Sequence, residues 1–117
     1  MRFYDLRTTV GTSGSPQRIW DARDSAYDEH GAYVPPRAAQ VWFSCPETNA
    51  GFIVIGGKNV VAAAATRQGS RPIAPGEYLC PLAVGTLDLR EVWYDGTVAG
   101  DALCVSWQGE PLPEQAL

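Results

Sequence analysis

Positive charge is scarce and dispersed in this sequence. Nine Lys and Arg stand against thirteen Asp and Glu, for a net charge of −4, and the basic residues fall singly between Arg2 and Arg90. A nucleic-acid-binding module needs clustered cations to displace counterions from phosphate, so that class is set aside. Long apolar runs are missing as well. The longest, residues 52–55 and 60–65, are far too short to span a bilayer. The first residues, Met1-Arg2-Phe3-Tyr4-Asp5, lack the apolar stretch of a signal peptide, so a soluble chain that is not secreted by that route is expected. Lysine is nearly absent: eight of the nine basic residues are Arg and Lys58 is the ninth. Interfaces show the same bias, because guanidinium is weakly hydrated and makes forked hydrogen bonds, although GC-rich coding produces it too.

Catalytic and metal-binding patterns are equally thin. His30 is the single histidine, and around it Asp21, Asp24, Asp28 and Glu29 form the chain's one acidic cluster. Calcium binds such oxygen-rich groups, but the twelve-residue EF-hand spacing is absent and Arg23 interrupts the cluster, so a solvated loop is expected. Cys45, Cys80 and Cys104 are odd in number and widely spaced, with no C-x-x-C pair to hold zinc. Each lies in an apolar stretch, and buried free thiols are the expectation. Neither a nucleophile elbow, a P-loop nor a dinucleotide fingerprint occurs. No catalytic residue, cofactor or metal is nominated, and the chain is read as a non-enzyme.

Helical periodicity is lacking too. Apolar residues come in short alternating or continuous runs, cut every eight to twelve residues by Gly, Pro, Asn or Asp, which is the mark of an all-β fold. With 117 residues the chain suits one domain, an antiparallel β-sandwich of jelly-roll-like type with a long irregular N-terminal loop or arm. Strands are expected over residues 2–7, 39–44, 51–55, 59–64, 77–82, 91–94 and 102–108. The last alternates most cleanly, with Leu103, Val105 and Trp107 on the face expected to be core. Residues 52–55 do not alternate, so both their faces should be covered, one of them by a loop or another subunit. Gly56-Gly57-Lys58-Asn59 reads as a hairpin, Pro75-Gly76 as a type II turn, and Asp88-Leu89-Arg90-Glu91 as a single capped helical turn.

Residues 8–38 differ from the rest. They are rich in Gly and Pro, with Ile19-Trp20 as the only pair apolar enough for a short strand, and they read as a loop or arm lying across its own sheet or a neighbour. Arg18, Trp20, Tyr27, Tyr33 and Arg37 are the candidate interface residues there, since aromatics and Arg dominate interface energetics. Residues 109–117 carry two prolines and should leave the domain as extended chain. Of the four tryptophans, Trp42, Trp93 and Trp107 lie in expected strands and are assigned to packing. Trp20 is the one offered for stacking on a sugar, which keeps a carbohydrate-binding module in view.

From residue 52 to about 107 the order of elements resembles small β-sandwich virion proteins of tailed bacteriophages. The likeness rests on Ile55-Gly56-Gly57-Lys58-Asn59-Val60, on Pro72-Ile73-Ala74-Pro75-Gly76-Glu77, on Pro81-Leu82, on Asp88-Leu89-Arg90-Glu91-Val92-Trp93, and on Ala99-Gly100-Asp101-Ala102-Leu103-Cys104-Val105. What the resemblance implies is a head decoration or cement protein that binds the capsid exterior and stabilises it. A tail, collar or fibre-attachment protein is the alternative of the same class. The partners would be the major capsid protein or other virion proteins and further copies of this chain, a trimer being favoured by capsid threefold axes. The location would be the virion, assembled in the host cytoplasm, and the resemblance carries over no site residues.

Overall fold

The computed structural model describes residues 2–20, 37–81 and 87–109. The acidic cluster with His30, Tyr27, Tyr33 and residues 110–117 of the expected tail lie outside the described residues. The described chain is all-β, with nine strands: β1 (Arg2–Thr9), β2 (Gln17–Arg18), β3 (Arg37–Ala38), β4 (Gln40–Ser44), β5 (Ile53–Gly56), β6 (Tyr78–Leu79), β7 (Leu87–Asp88), β8 (Trp93–Gly96) and β9 (Ala102–Gly109). They form antiparallel sheets in the orders β1-β9-β4-β6, β2-β8-β5 and β3-β7.

Period-two alternation decides which side chains meet. Leu103, Val105 and Trp107 of β9 and Val41 and Phe43 of β4 share one face, and all are buried. They join Ile53 and Ile55 of β5 and Tyr94 of β8 in a single buried cluster, with Tyr4 and Leu6 of β1 packed against it. The Tyr94 hydroxyl reaches across to β1, donating to the Thr9 carbonyl at 2.6 Å and lying 2.9 Å from the Thr8 hydroxyl. Burial pushes this phenol above its ordinary range.

Two polar side chains lock the start of β9 to the β4–β5 connection. Asn49 exchanges two hydrogen bonds with the Ala102 backbone, at 2.7 and 2.8 Å, so its amide acts as an extra rung of sheet pairing. Asp101 accepts from the backbone N–H groups of Ala50 and Gly51 at 2.9 and 2.8 Å. Both are buried and bonded, as buried polar groups must be.

Local turn chemistry follows the sequence. Gly76 takes φ +86° and the Glu77 N–H donates to the Ala74 carbonyl at 2.9 Å, the geometry Pro-Gly predicts. Asp88 caps a 3-10 turn at Leu89–Glu91 by accepting from the Arg90 N–H at 3.0 Å. Its carboxyl also accepts two bonds from the Arg90 guanidinium, chiefly for which reason it is held below the usual carboxylate range.

Residues 57–70 depart from expectation. The hairpin and strand read there do not form: β5 pairs with β8, and neither Gly56 nor Gly57 adopts positive φ. The chain instead folds over the free face of the three-stranded sheet, through a Val61–Gln68 bridge and a second 3-10 turn at Ala64–Thr66. Val60 and Ala62 then pack on Val54 and Trp93 in a second small cluster. Gly69, with φ +128°, passes so close to Val54, Val60 and the Ile55 carbonyl that a Cβ would collide with them. Residues 53–55 are therefore covered on both faces by their own chain, and no second subunit is required to bury them.

The described parts of residues 8–38, residues 8–20 and 37–38, are likewise tied into the domain. Val10, Ile19 and Ala38 are core residues, and the short strand expected at Ile19-Trp20 lies two residues earlier, as β2. Strand ends shift elsewhere by one to three residues. All three cysteines are free, but only Cys45 is buried, while Cys80 and Cys104 are half-exposed. Burial pushes the Cys45 thiol up, against the hydrogen bond that Asn49 donates to its sulfur at 3.1 Å.

Candidate binding face

The face of the four-stranded sheet turned away from the core carries the two most exposed rings among the described residues, Phe3 and Tyr78. In β1 the odd residues Phe3, Asp5, Arg7 and Thr9 are exposed and the even ones pack inward. In β4 the same parity puts Gln40, Trp42 and Ser44 on the open face, opposite the buried Val41 and Phe43. Strand register aligns these positions in rows: Asp5, Ser106 and Trp42 form one, and Arg7, Cys104, Ser44 and Tyr78 the next.

The result is an aromatic platform. Phe3 is 68% exposed and Tyr78 60%. The Phe3 and Trp42 rings lie 6.0 Å apart, with 30° between their planes. Phe3, Trp42, Ser44, Tyr78 and Ser106 line a shallow recess of about 430 Å³. Exposed rings gathered on a flat sheet cost solvation, and such patches mark places where a partner or ligand sits. Beside them Asp5 and Arg7 supply charge of both signs, and the Arg7 guanidinium lies 3.6 Å from the Cys104 sulfur. Across Tyr78, a second recess runs along Arg71, Gly76, Glu77, Leu79 and Cys80.

The residues nominated from sequence are placed differently. Arg18 is exposed in β2, but its guanidinium sits 5.1 Å above the Trp93 ring and covers it. Trp20 is half-buried and meets the core residue Trp107 edge-on at 6.0 Å, which removes it from the role of free sugar-stacking ring. Arg37 is exposed in β3 opposite Asp88, whose carboxylate its charge favours. Of the tryptophans assigned to packing, Trp107 is fully buried and the half-buried Trp93 packs against the second small cluster, whereas Trp42 lies on the open face.

Aromatics read one at a time do not reveal the platform. The available signal was parity: in Gln40-Val41-Trp42-Phe43-Ser44, Trp42 keeps step with two polar residues, and Tyr78 follows the exposed Glu77. Among the described residues no three His, Cys, Asp or Glu gather as metal ligands, and no helix is long and apolar enough to cross a membrane. No protein family, no curated protein and no solved structure matches the chain at a significant level.

Proposed function

We propose that this chain is a bacteriophage virion structural protein, a head decoration or cement protein that grips the capsid exterior through the open face of its four-stranded sheet. The observation that carries the reading is the Phe3–Trp42–Tyr78 platform, three aromatic rings gathered on the open face of an antiparallel sheet. Aromatic anchors surrounded by polar positions are the usual architecture of a protein–protein hot spot. In this reading the two larger sheets are the layers of a jelly-roll-like sandwich, supported by the buried cluster they share. Contact with adjacent capsid subunits stabilises the closed shell by linkage, because the buried area is lost when the shell opens. The same surface serves equally in a tail, collar or fibre-attachment position.

Co-sedimentation tests the proposal. The chain is expected to pellet with heads assembled from the major capsid protein of the phage that this reading implies and to raise their disruption temperature. A chain that stays in the supernatant at saturating head concentration contradicts it.

One observation favours a second reading. The neighbouring Phe3 and Trp42 rings, tilted by 30° to each other, with Ser44 and Ser106 lining the same recess, offer apolar faces and hydrogen-bonding groups to a pyranose. Specific binding on a glycan array, lost in Trp42→Ala and kept in Trp20→Phe, would assign the platform to carbohydrate instead.

A further inference from the structure

β1 is an edge strand among the described residues. It pairs along all eight residues with β9, and among the described residues no strand lies on its other side. In an antiparallel pair, alternate residues turn both backbone groups toward the neighbour and the remainder turn them away. Val10 bonds on the β9 side, its N–H to Asp101 and its carbonyl to the Gly100 N–H, each at 2.8 Å. Counting back by twos gives Thr8, Leu6 and Tyr4 the same direction. Phe3, Asp5 and Arg7 therefore present N–H and C=O to the open side. The Thr9 carbonyl agrees in direction but is already taken by a side chain, its partner being the Tyr94 hydroxyl and not β9.

Proteins blunt such edges with charged side chains, Lys above all, with Pro or with a bulge, because an unpaired row of donors and acceptors templates another strand; the charges of β1 are Arg2, Asp5 and Arg7, of both signs. Arg2-Phe3-Tyr4-Asp5-Leu6-Arg7-Thr8-Thr9 contains no Lys, Pro or Gly, and it keeps one-to-one register with β9 throughout.

We propose that β1 pairs antiparallel with β1 of a second copy about a twofold axis, joining two four-stranded sheets edge to edge. Charge selects the register. An axis through Asp5 sets Asp5 against its own copy, and one through Arg7 sets Arg7 against its own. An axis through Leu6 sets each Asp5 opposite Arg7 of the second copy, twice by symmetry, with Leu6 against Leu6 on the core-facing side. In that register Asp5 and Arg7 are also the residues whose backbone groups point outward, so side-chain and main-chain pairing coincide. Opposite charges facing across strands stabilise the pair and like charges destabilise it. Such an isologous contact closes at two copies, and a trimer cannot form through it. The inference stands on the edge alone and holds whatever the aromatic platform binds.

Molar mass of the full chain, followed by light scattering or sedimentation from micromolar concentrations upward, reads the outcome. Wild type is expected to reach a dimer. Asp5→Arg and Arg7→Asp, both at exposed positions, should each weaken self-association about tenfold or more, from the loss and reversal of two facing pairs. Mixing these two variants should restore association as a heterodimer, and the double variant Asp5→Arg/Arg7→Asp should dimerise again by itself. A wild type that stays monomeric or forms a trimer, or single variants that do not recover on mixing while circular dichroism shows them folded, overturns the proposal.

Discussion

Trp107→Ala is expected to destabilise the fold by about 3–5 kcal/mol, the usual cost of deleting a fully buried large aromatic. Trp107 is 0% exposed at the centre of the shared cluster, with Tyr4 stacked on it at 5.7 Å and Trp20 edge-on at 6.0 Å. Its loss opens a cavity and leaves both rings without their neighbour. Against a total stability of roughly 5–15 kcal/mol for a domain of this kind, that is a large fraction. Thermal melts followed by circular dichroism should show a fall of roughly 10–25 °C. Trp42→Ala is the matched control. The same deletion from the open face should cost less than about 1 kcal/mol. Equal losses at the two positions would mean that the core and open faces of the sheet are wrongly assigned.

Asp95→Ala is expected to cost about 2–4 kcal/mol, through unpaired donors left behind and not through lost volume. Asp95 is 1% exposed on β8, and its carboxylate oxygens accept from the Gly14 N–H at 3.1 Å and the Ala62 N–H at 2.8 Å. One residue thus pins two loops to the same sheet face. Bonds to a carboxylate acceptor are about twice as strong as neutral ones, and the bond from the Ala62 N–H is buried. Residues 57–70 should loosen first, uncovering Val54. The exposed Arg67 then becomes a sensitive reporter, because its guanidinium bonds to the Ala62 carbonyl only while the loop is closed. Trypsin should cut after Arg67 at least tenfold faster in the variant than in wild type under native conditions. Unchanged cleavage would show that Asp95 does not hold this loop. Asp95→Asn, which keeps one acceptor oxygen, should fall between the two.

What could be read from the residues was what is local. Pro75-Gly76 and the Asp88 cap behave as expected because each is decided within four residues. The alternation of β9 assigned Leu103, Val105 and Trp107 to the core for the same reason. Residues 59–64 misled because Val60 and Ala62 are apolar at strand spacing, and periodicity cannot say that they cover Val54 from outside the sheet. The pairing of β5 with β8, some forty residues away, leaves no mark that one sequence can show. The binding face lay between these cases. Parity placed Trp42 with Gln40 and Ser44, but meeting Phe3 and Tyr78 depends on β1 and β6 flanking β9 and β4, which only the sheet order supplies.

The affinity of the full chain for phage heads assembled from the major capsid protein that the proposed function requires, measured for wild type and for Phe3→Ser/Trp42→Ser, tests the central claim most directly. The aromatic platform as hot spot predicts a loss of at least about 30-fold, which corresponds to about 2 kcal/mol, with the melting profile retained. A folded double variant that binds as tightly as wild type would contradict the proposal that this face is the docking surface.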